Sequence, residues 1–542
     1  MIVSMGLITG ASYWYFNNKP NTSVISYSDD LYLIIEDIVI DEGQPVLHID
    51  NEVYFNYSFL KEYIDENLFY DKNEETVIFT SKDKVKRFKI DEIVGSVNSK
   101  EFFIDDPIRL IDDNIYIPMK LFKDDYDISI NYFDETNAVV IDYTDVYYLT
   151  GSVILENGVI RSDMDIKAPI VKDNLVINGT VNVYGEFEKW LKVRSNDGIL
   201  GFVEKKYIRL NYKKDIYKTE LESREEKTNI KDKINLTWDY TYSKVKYTDN
   251  IKPIPGINVI SPTWFSIIDT EGNLQDKGNK DYVHKYKEMG YELWPLIDNS
   301  FNPDLTHELL HSSSTREKVI LNIEKTYKDY GFDGINIDFE NVYLKDKDLL
   351  TQFVRELYPI FKENNMIVSM DVTTISTSEN WSLCYDRQRL HESLDYMMLM
   401  AYDQHWASSP NAGSVAEYSW VEKGLKGVLK EIPNEKLILA VPFYTRLWLV
   451  EPNKISSQTI SMEAANKFVK DNEIVTVWNE NFGQYYGEIT KNDIDYRIWL
   501  EDGKSLEYKI SLIHKYDLAG VASWRKGFET ENIWNSIDKA LN

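Results

Sequence analysis

The stretch Asp333-Gly-Ile-Asn-Ile-Asp-Phe-Glu340 sets Asn336, Asp338 and Glu340 at alternate positions. In an extended strand successive side chains point to opposite faces, so these three and Gly334 share one side while Ile335, Ile337 and Phe339 occupy the other. Asp338 and Glu340 then lie roughly 6 to 7 Å apart at Cα, and a charged Asp338 is expected to raise the pKa of Glu340. Such a pair provides a proton donor for work near neutral pH. A polar, solvated strand end is the alternative. Burying three polar side chains in succession is costly without a purpose, and this favours the functional reading.

The elements that position this segment follow an alternation of strand and helix, which predicts a parallel sheet with helices outside. Candidate strands are Ile234–Asp239, Ile257–Ile267, Tyr291–Ile297, Gly334–Glu340, Ile367–Thr373, Leu394–Tyr402, Lys436–Phe443 and Leu518–Trp524. Eight such strands predict a closed (β/α)8 TIM barrel. Polar or aromatic residues stand at their C-terminal ends, where barrels of this kind place their chemistry: Asp239, Asp298, Glu340, Tyr402 with Asp403, Tyr444 and Trp524. A small α+β insertion of about 451–513, between the seventh and eighth strands, is expected to wall one side of a groove.

Residues 333–340 resemble the signature of glycoside hydrolase family 18, Asp-Gly-x-Asp-x-Asp-x-Glu, at the end of the fourth barrel strand. The resemblance covers roughly residues 233–542. Asn336 stands where the motif has its second Asp, a departure typical of the peptidoglycan-active, spore-cortex branch. Met400-Ala-Tyr402-Asp403, Gln404-His405-Trp406, Gly413-Ser-Val-Ala416, Pro442-Phe-Tyr444-Thr-Arg446-Leu-Trp448 and Trp524 resemble further family elements in the same order. The resemblance implies that Glu340 is the general acid, that Asp338 orients the substrate acetamido nitrogen and that Tyr402 holds its oxygen. It makes Asn336, Asp403, Gln404, Tyr444, Arg446 and Trp524 the substrate-binding set. Trp406 and Trp448 are as readily packing residues, and His405 a supporting donor. In this family the substrate's own N-acetyl group is the nucleophile, and neither metal nor organic cofactor is required.

Upstream, a repeat at an offset of 62 residues aligns Pro45-Val-Leu-His-Ile-Asp50-Asn-Glu-Val-Tyr54-Phe55 with Pro107-Ile-Arg-Leu-Ile-Asp112-Asp-Asn-Ile-Tyr116-Ile117. Each copy reads as two strands, a short helix and a further strand. The pair, residues 29–146, resembles the tandem copper amine oxidase N-terminal module. No copper is implied, since the repeats offer only His48 as a soft ligand, and a spacer or wall-adhesion role is preferred. Residues 147–210 have an all-β pattern, and Trp190-Leu-Lys-Val-Arg194, Asp197-Gly198 and Gly201-Phe-Val203 resemble a bacterial SH3 domain. Wall binding and a rigid spacer both remain open for it. Residues 211–233 read as a charged linker. Met1–Phe16 is apolar but shorter than a spanning helix, and is read as part of a signal or membrane anchor, with an apolar N-terminus without such a role as the alternative. Asn17–Ser28 then serves as a polar spacer.

Composition limits the partners. The chain has 542 residues and a net charge of −28, which repels nucleic acid. Its 38 tyrosines and 13 tryptophans suit sugar faces, although most are expected in the core. Cys384 is the single cysteine, so no intramolecular disulfide forms. The expectation is an exported, wall- or spore-associated monomer acting on a carbohydrate polymer containing N-acetylglucosamine. Peptidoglycan is the preferred substrate and chitin the enzymatic alternative. A glycan-binding protein without catalysis, or a wall protein whose barrel merely adheres, is the non-enzymatic one.

Overall fold

The computed structural model describes residues 19–26, 31–40, 43–146, 148–211, 233–244 and 251–542. The apolar Met1–Phe16 segment lies outside the described residues, as does most of the charged linker. No helix among the described residues is long and apolar enough to cross a membrane. The chain forms two compact units. Their described residues fall within 1–68, 88–95 and 101–225 for one unit and within 69–87, 96–100 and 226–542 for the other.

In the first unit, the 62-residue register of the repeat survives as structure. Strands Val46–Ile49 and Glu52–Asn56 correspond to Arg109–Ile111 and Asn114–Pro118, and Glu52–Asn56 pairs with Asn114–Pro118 antiparallel. The helical expectation holds for one copy only. Tyr57–Tyr63 is α-helical behind Asn56, whose side chain accepts from the Ser58 N–H. The second copy makes a single 3₁₀ turn, Met119–Leu121, because Pro118 occupies the cap position and offers no side-chain acceptor.

Residues 149–211 form a seven-stranded antiparallel sheet around Val153, Ile160, Val181, Leu191, Val193 and Val203. The expected polar spacer is partly built into this sheet. Val24 bridges to Ile170, and the Arg161 guanidinium donates to the Asn21 carbonyl at 3.0 Å.

The second unit is dominated by eight parallel strands: Ile234–Asp239, Val259–Ile267, Leu296–Asp298, Gly334–Asp338, Ile367–Thr373, Tyr396–Met400, Leu437–Pro442 and Gly520–Trp524. The first pairs with both the second and the eighth, so the barrel closes. The third is interrupted after Glu292–Leu293, near Pro295, a residue with no N–H to give the ladder. The alternation expected of the fourth strand holds. Ile335, Ile337 and Phe339 join the outer core with the helices, whereas the barrel interior is packed by residues such as Leu236, Trp238, Leu296, Met398 and Ala522.

The insertion begins earlier than its composition suggests. A five-stranded antiparallel sheet already starts with Tyr444–Glu451, continues through Lys454–Ser461, and ends with Ile494–Leu500; helix Met462–Asp471 packs on it. Helix Gly503–Tyr516 belongs to the barrel instead, burying Leu506, Ile510 and Ile513 in the outer core.

Residues 69–87 of the first repeat also belong to this unit. Ile78 and Val85 join the outer barrel core, and Arg87 reaches Glu356 at 2.9 Å on helix Lys347–Glu363. Cys384 is buried and donates to the Asn380 carbonyl, and burial pushes its thiol up to about 12, which leaves it unreactive.

Candidate active site

The fourth strand ends at Asp338, and Glu340 lies two residues beyond, on the turn that follows. Two groups fix that turn. Asn299 accepts from the Glu340 N–H at 3.2 Å and donates to the Glu340 carbonyl at 2.8 Å, while its amide also meets the Thr306 hydroxyl at 2.9 Å. The Tyr385 hydroxyl donates to the Phe339 carbonyl at 2.8 Å. The carboxyl of Glu340 therefore projects from an anchored backbone and remains half-buried, within reach of solvent.

Below it the side chains form successive polar layers. Asn336 is fully buried: its oxygen accepts from Trp238 Nε1 at 2.8 Å and from the Ser261 hydroxyl at 3.3 Å, and its amide donates to Asp371 at 2.8 Å. An Asp at position 336 would have no proton to offer Asp371 unless one of the two carboxyls stayed protonated, so Asn supplies the donor without charge. Asp338 sits between these layers, and its Oδ1 is buried without a hydrogen-bond partner.

Burial pushes Asp338 well above the usual carboxylate range, and Glu340, Asp371 and Asp298 add to the effect. The Asp338 and Glu340 carboxyls therefore act on each other, and burial disfavours the ionised form of both. Glu340 is pushed up to about 7 by burial first and then by Asp403 and Asp298. Asp371 is raised well above its ordinary value by burial, against the opposing Asn336 hydrogen bond. Asp298 is raised by burial although Ser266 and the Ser300 N–H donate to it. Burial likewise keeps Tyr402 protonated, with Tyr444, Asp371, Asp338 and Glu340 contributing, so its hydroxyl is available as a donor beside the acids.

The other expected residues divide by position. Asp403 is half-exposed, accepting from the Tyr444 hydroxyl and from Arg446, both at 2.6 Å. Arg446 is itself buried and also bonds Thr459 and the His405 carbonyl, so Tyr444 and Arg446 hold Asp403 in place. Gln404 is occupied in its loop, accepting from the Glu417 N–H at 3.0 Å, and Trp448 is fully buried with its indole donating to the Gly413 carbonyl. His405 meets the Ser414 carbonyl at 2.8 Å as a supporting group, and Trp406 is exposed. Trp524 packs edge-on against Trp238 at 5.7 Å and near Tyr240 at 6.0 Å, forming an aromatic floor that is only partly covered. Asp239 is engaged elsewhere: Tyr282 and Lys526 both donate to it at 2.6 Å.

Sequence reasoning missed Asn299 and Asp371. Asp371 was accessible to the same alternation test, since Ser369 and Asp371 face the barrel interior from the fifth strand. Asn299 acts on backbone atoms and carries no motif.

Residues 303–528 match glycosyl hydrolases family 18, and residues 35–141 match the copper amine oxidase N-terminal domain. The chain is 25% identical to YdhD of Bacillus subtilis over 234 residues, 42% of this chain and 55% of that protein. It is 21% identical to the cortical fragment-lytic enzyme of Bacillus subtilis over 253 residues, 46% of this chain and 58% of the relative, so it spans little more than half the length of these two relatives. The crystal structure of the Bacillus cereus spore cortex-lytic enzyme SleL shares the barrel fold at a TM-score of 0.52 and 18% identity, covering 57% of this chain and 75% of that one.

Proposed function

We propose that this chain, which carries a glycosyl hydrolase family 18 domain, is a glycosidase that cleaves β-1,4 linkages in an N-acetylglucosamine-containing polymer, with peptidoglycan of the wall or spore cortex as its substrate. One observation carries the reading: a half-buried Glu340, pushed up to about 7, stands on a backbone segment held at both its N–H and C=O, two residues on from Asp338, whose Oδ1 is buried without a hydrogen-bond partner. A carboxyl held protonated near neutral pH can give its proton to a glycosidic oxygen.

In this reading the N-acetyl oxygen of the substrate attacks the anomeric carbon as the bond to the leaving sugar breaks, and the Glu340 proton goes to the departing oxygen. The unpartnered Asp338 Oδ1 accepts a hydrogen bond from the acetamido N–H and so orients the group as the oxazolinium ion forms. Tyr402 donates to the acetamido oxygen. Glu340, now ionised, takes a proton from water, which opens the ring with retention of configuration. Asp403 binds the neighbouring sugar, and Trp524 supports the ring being cleaved. The peptidoglycan assignment is supported by the Asn at position 336, by the cortex-lytic relatives and by the accessory modules upstream, for which wall adhesion or a spacer role is proposed. The all-β segment 149–211 is proposed as an SH3-like accessory.

The test is digestion of purified cortex and wall with wild-type protein and with Glu340→Gln, followed by mass analysis of the fragments. Muropeptides ending in reducing N-acetylglucosamine, formed by wild type and absent with a variant that still binds glycan, are expected. Products from chitin oligomers alone would move the substrate to chitin. Unchanged turnover by Glu340→Gln would remove the acid from the scheme.

A further inference from the structure

Helix Pro303–Leu310 follows the third barrel strand, and its start is fixed by Asn302, whose side chain accepts from the Asp304 and Leu305 N–H groups, with Pro303 in the first turn. One face of its C-terminal end presents His307, and His311 follows at the cap, one helical turn on. Opposite them lies Asp346, in the 3₁₀ turn Leu344–Asp346 that succeeds Glu340, with a completely buried carboxylate. His307 Nδ1 lies 2.9 Å from both Asp346 oxygens, and His311 Nε2 lies 3.1 Å from one of them. One ligand atom from each of the three residues lies within 4.8 Å of the other two.

We propose that His307, His311 and Asp346 form a binding site for a first-row divalent transition-metal ion, of the class that Zn²⁺, Co²⁺ and Ni²⁺ represent. Two imidazoles and one carboxylate are the donor set such ions take. Separations of 2.9 and 3.1 Å are close to the edge of about 3.0 Å expected between adjacent ligands of a six-coordinate ion with bonds of about 2.1 Å. His311 is half-exposed, so water completes the coordination from the solvent side. Lys345 Nζ lies 3.3 Å from His307 Nε2. Metal capture at Nδ1 moves the imidazole proton to Nε2 and turns this exposed lysine away.

The site has a structural purpose. Thr306, next to His307 on the same helix, supports the Asn299 amide that holds the Glu340 carbonyl. Asp346 closes the segment that begins at Glu340. An ion bridging the two therefore staples the turn bearing Glu340 to the helix beneath it, without touching the acid or the substrate.

The experiment uses the full untagged chain, stripped with chelator, and titrates it with Zn²⁺ by calorimetry and with Co²⁺ by visible absorption. One ion per chain is expected, with affinity at least tenfold weaker in both His307→Ala and His311→Ala. Zn²⁺ should raise the melting temperature of wild type and leave that of the double variant unchanged. His311 is exposed, so its variant is expected to fold, and circular dichroism checks this. Equal affinity in wild type and the double variant, or no cobalt spectrum in wild type, would overturn the site.

Discussion

Two glutamates of the barrel unit, Glu356 and Glu340, respond to burial in opposite ways. Glu356, on helix Lys347–Glu363, has no exposed surface, and burial alone would raise its pKa. The guanidiniums of Arg316 and Arg87, aided by Gln352, hold it below the ordinary value instead. Glu340, at the strand ends, has Asp403 and Asp298 as its charged influences and is pushed up to about 7. The same side chain is thus a fixed anion on the outer face and a proton reservoir at the mouth. Burial is common to both, and the sign of the neighbouring charge decides which one can do acid chemistry.

The two sites should separate cleanly under mutation. Glu340→Gln removes the proton donor, and turnover should fall by about 10³-fold or more, while thermal unfolding is undisturbed. Glu356→Ala should do the reverse. It strands Arg316 and Arg87, costs about 3–5 kcal/mol of stability, and leaves turnover per folded molecule unchanged, as denaturant melts and active-site-normalised rates will show. A large loss of stability in Glu340→Gln would erase the distinction.

The pH dependences carry opposite signs. Glu340 has a folded pKa raised from 4.5 to about 7, so its contribution to stability is full below pH 4.5 and is lost as pH climbs through 7. Glu356 has a lowered folded pKa, so its contribution is present above the ordinary value of 4.5 and is lost as pH falls through the folded one. Since the acid must be protonated, kcat/KM should decline above pH 7 or so, with a limb near the value for Glu340. Asp403→Asn removes a negative neighbour while keeping an acceptor for Tyr444 and Arg446, and should shift that limb down by about half a unit. A limb that stays in place would take Asp403 out of the electrostatics of the acid.

The mouth was legible in the sequence because a period of two converts spacing directly into a face. Asn336 and Asp338 point inward while Ile335 and Ile337 point outward, as the alternation requires. The outer cluster was not legible, because Arg87, Arg316 and Glu356 are far apart in the chain and each alone reads as a solvated charge on a helix or hairpin. The boundary of the insertion was obscured for a related reason: Tyr444–Glu451 continues the apolar run of the seventh strand, and only its antiparallel pairing with Lys454–Ser461 assigns it to a different sheet. The strand ends two residues before the expected Glu340, because Phe339 is buried like a strand residue although the ladder stops at Asp338.

Asn299 tests the comparison at its finest scale, because it touches the backbone of Glu340 and leaves the carboxyl alone. Asn299→Ala deprives a part-buried N–H and C=O of their partners, at a cost of about 1–3 kcal/mol. If the turn were held only for the sake of the fold, the loss would resemble a mild version of Glu356→Ala, with rates per folded molecule intact. If it is held to aim the acid, kcat should drop by about tenfold with KM and the alkaline limb unchanged, since neither substrate contacts nor neighbouring charges are altered. A fall in KM, or a shifted limb, would show that Asn299 acts through the groove or the local field, and would make the rigid turn a consequence of the site instead of one of its causes.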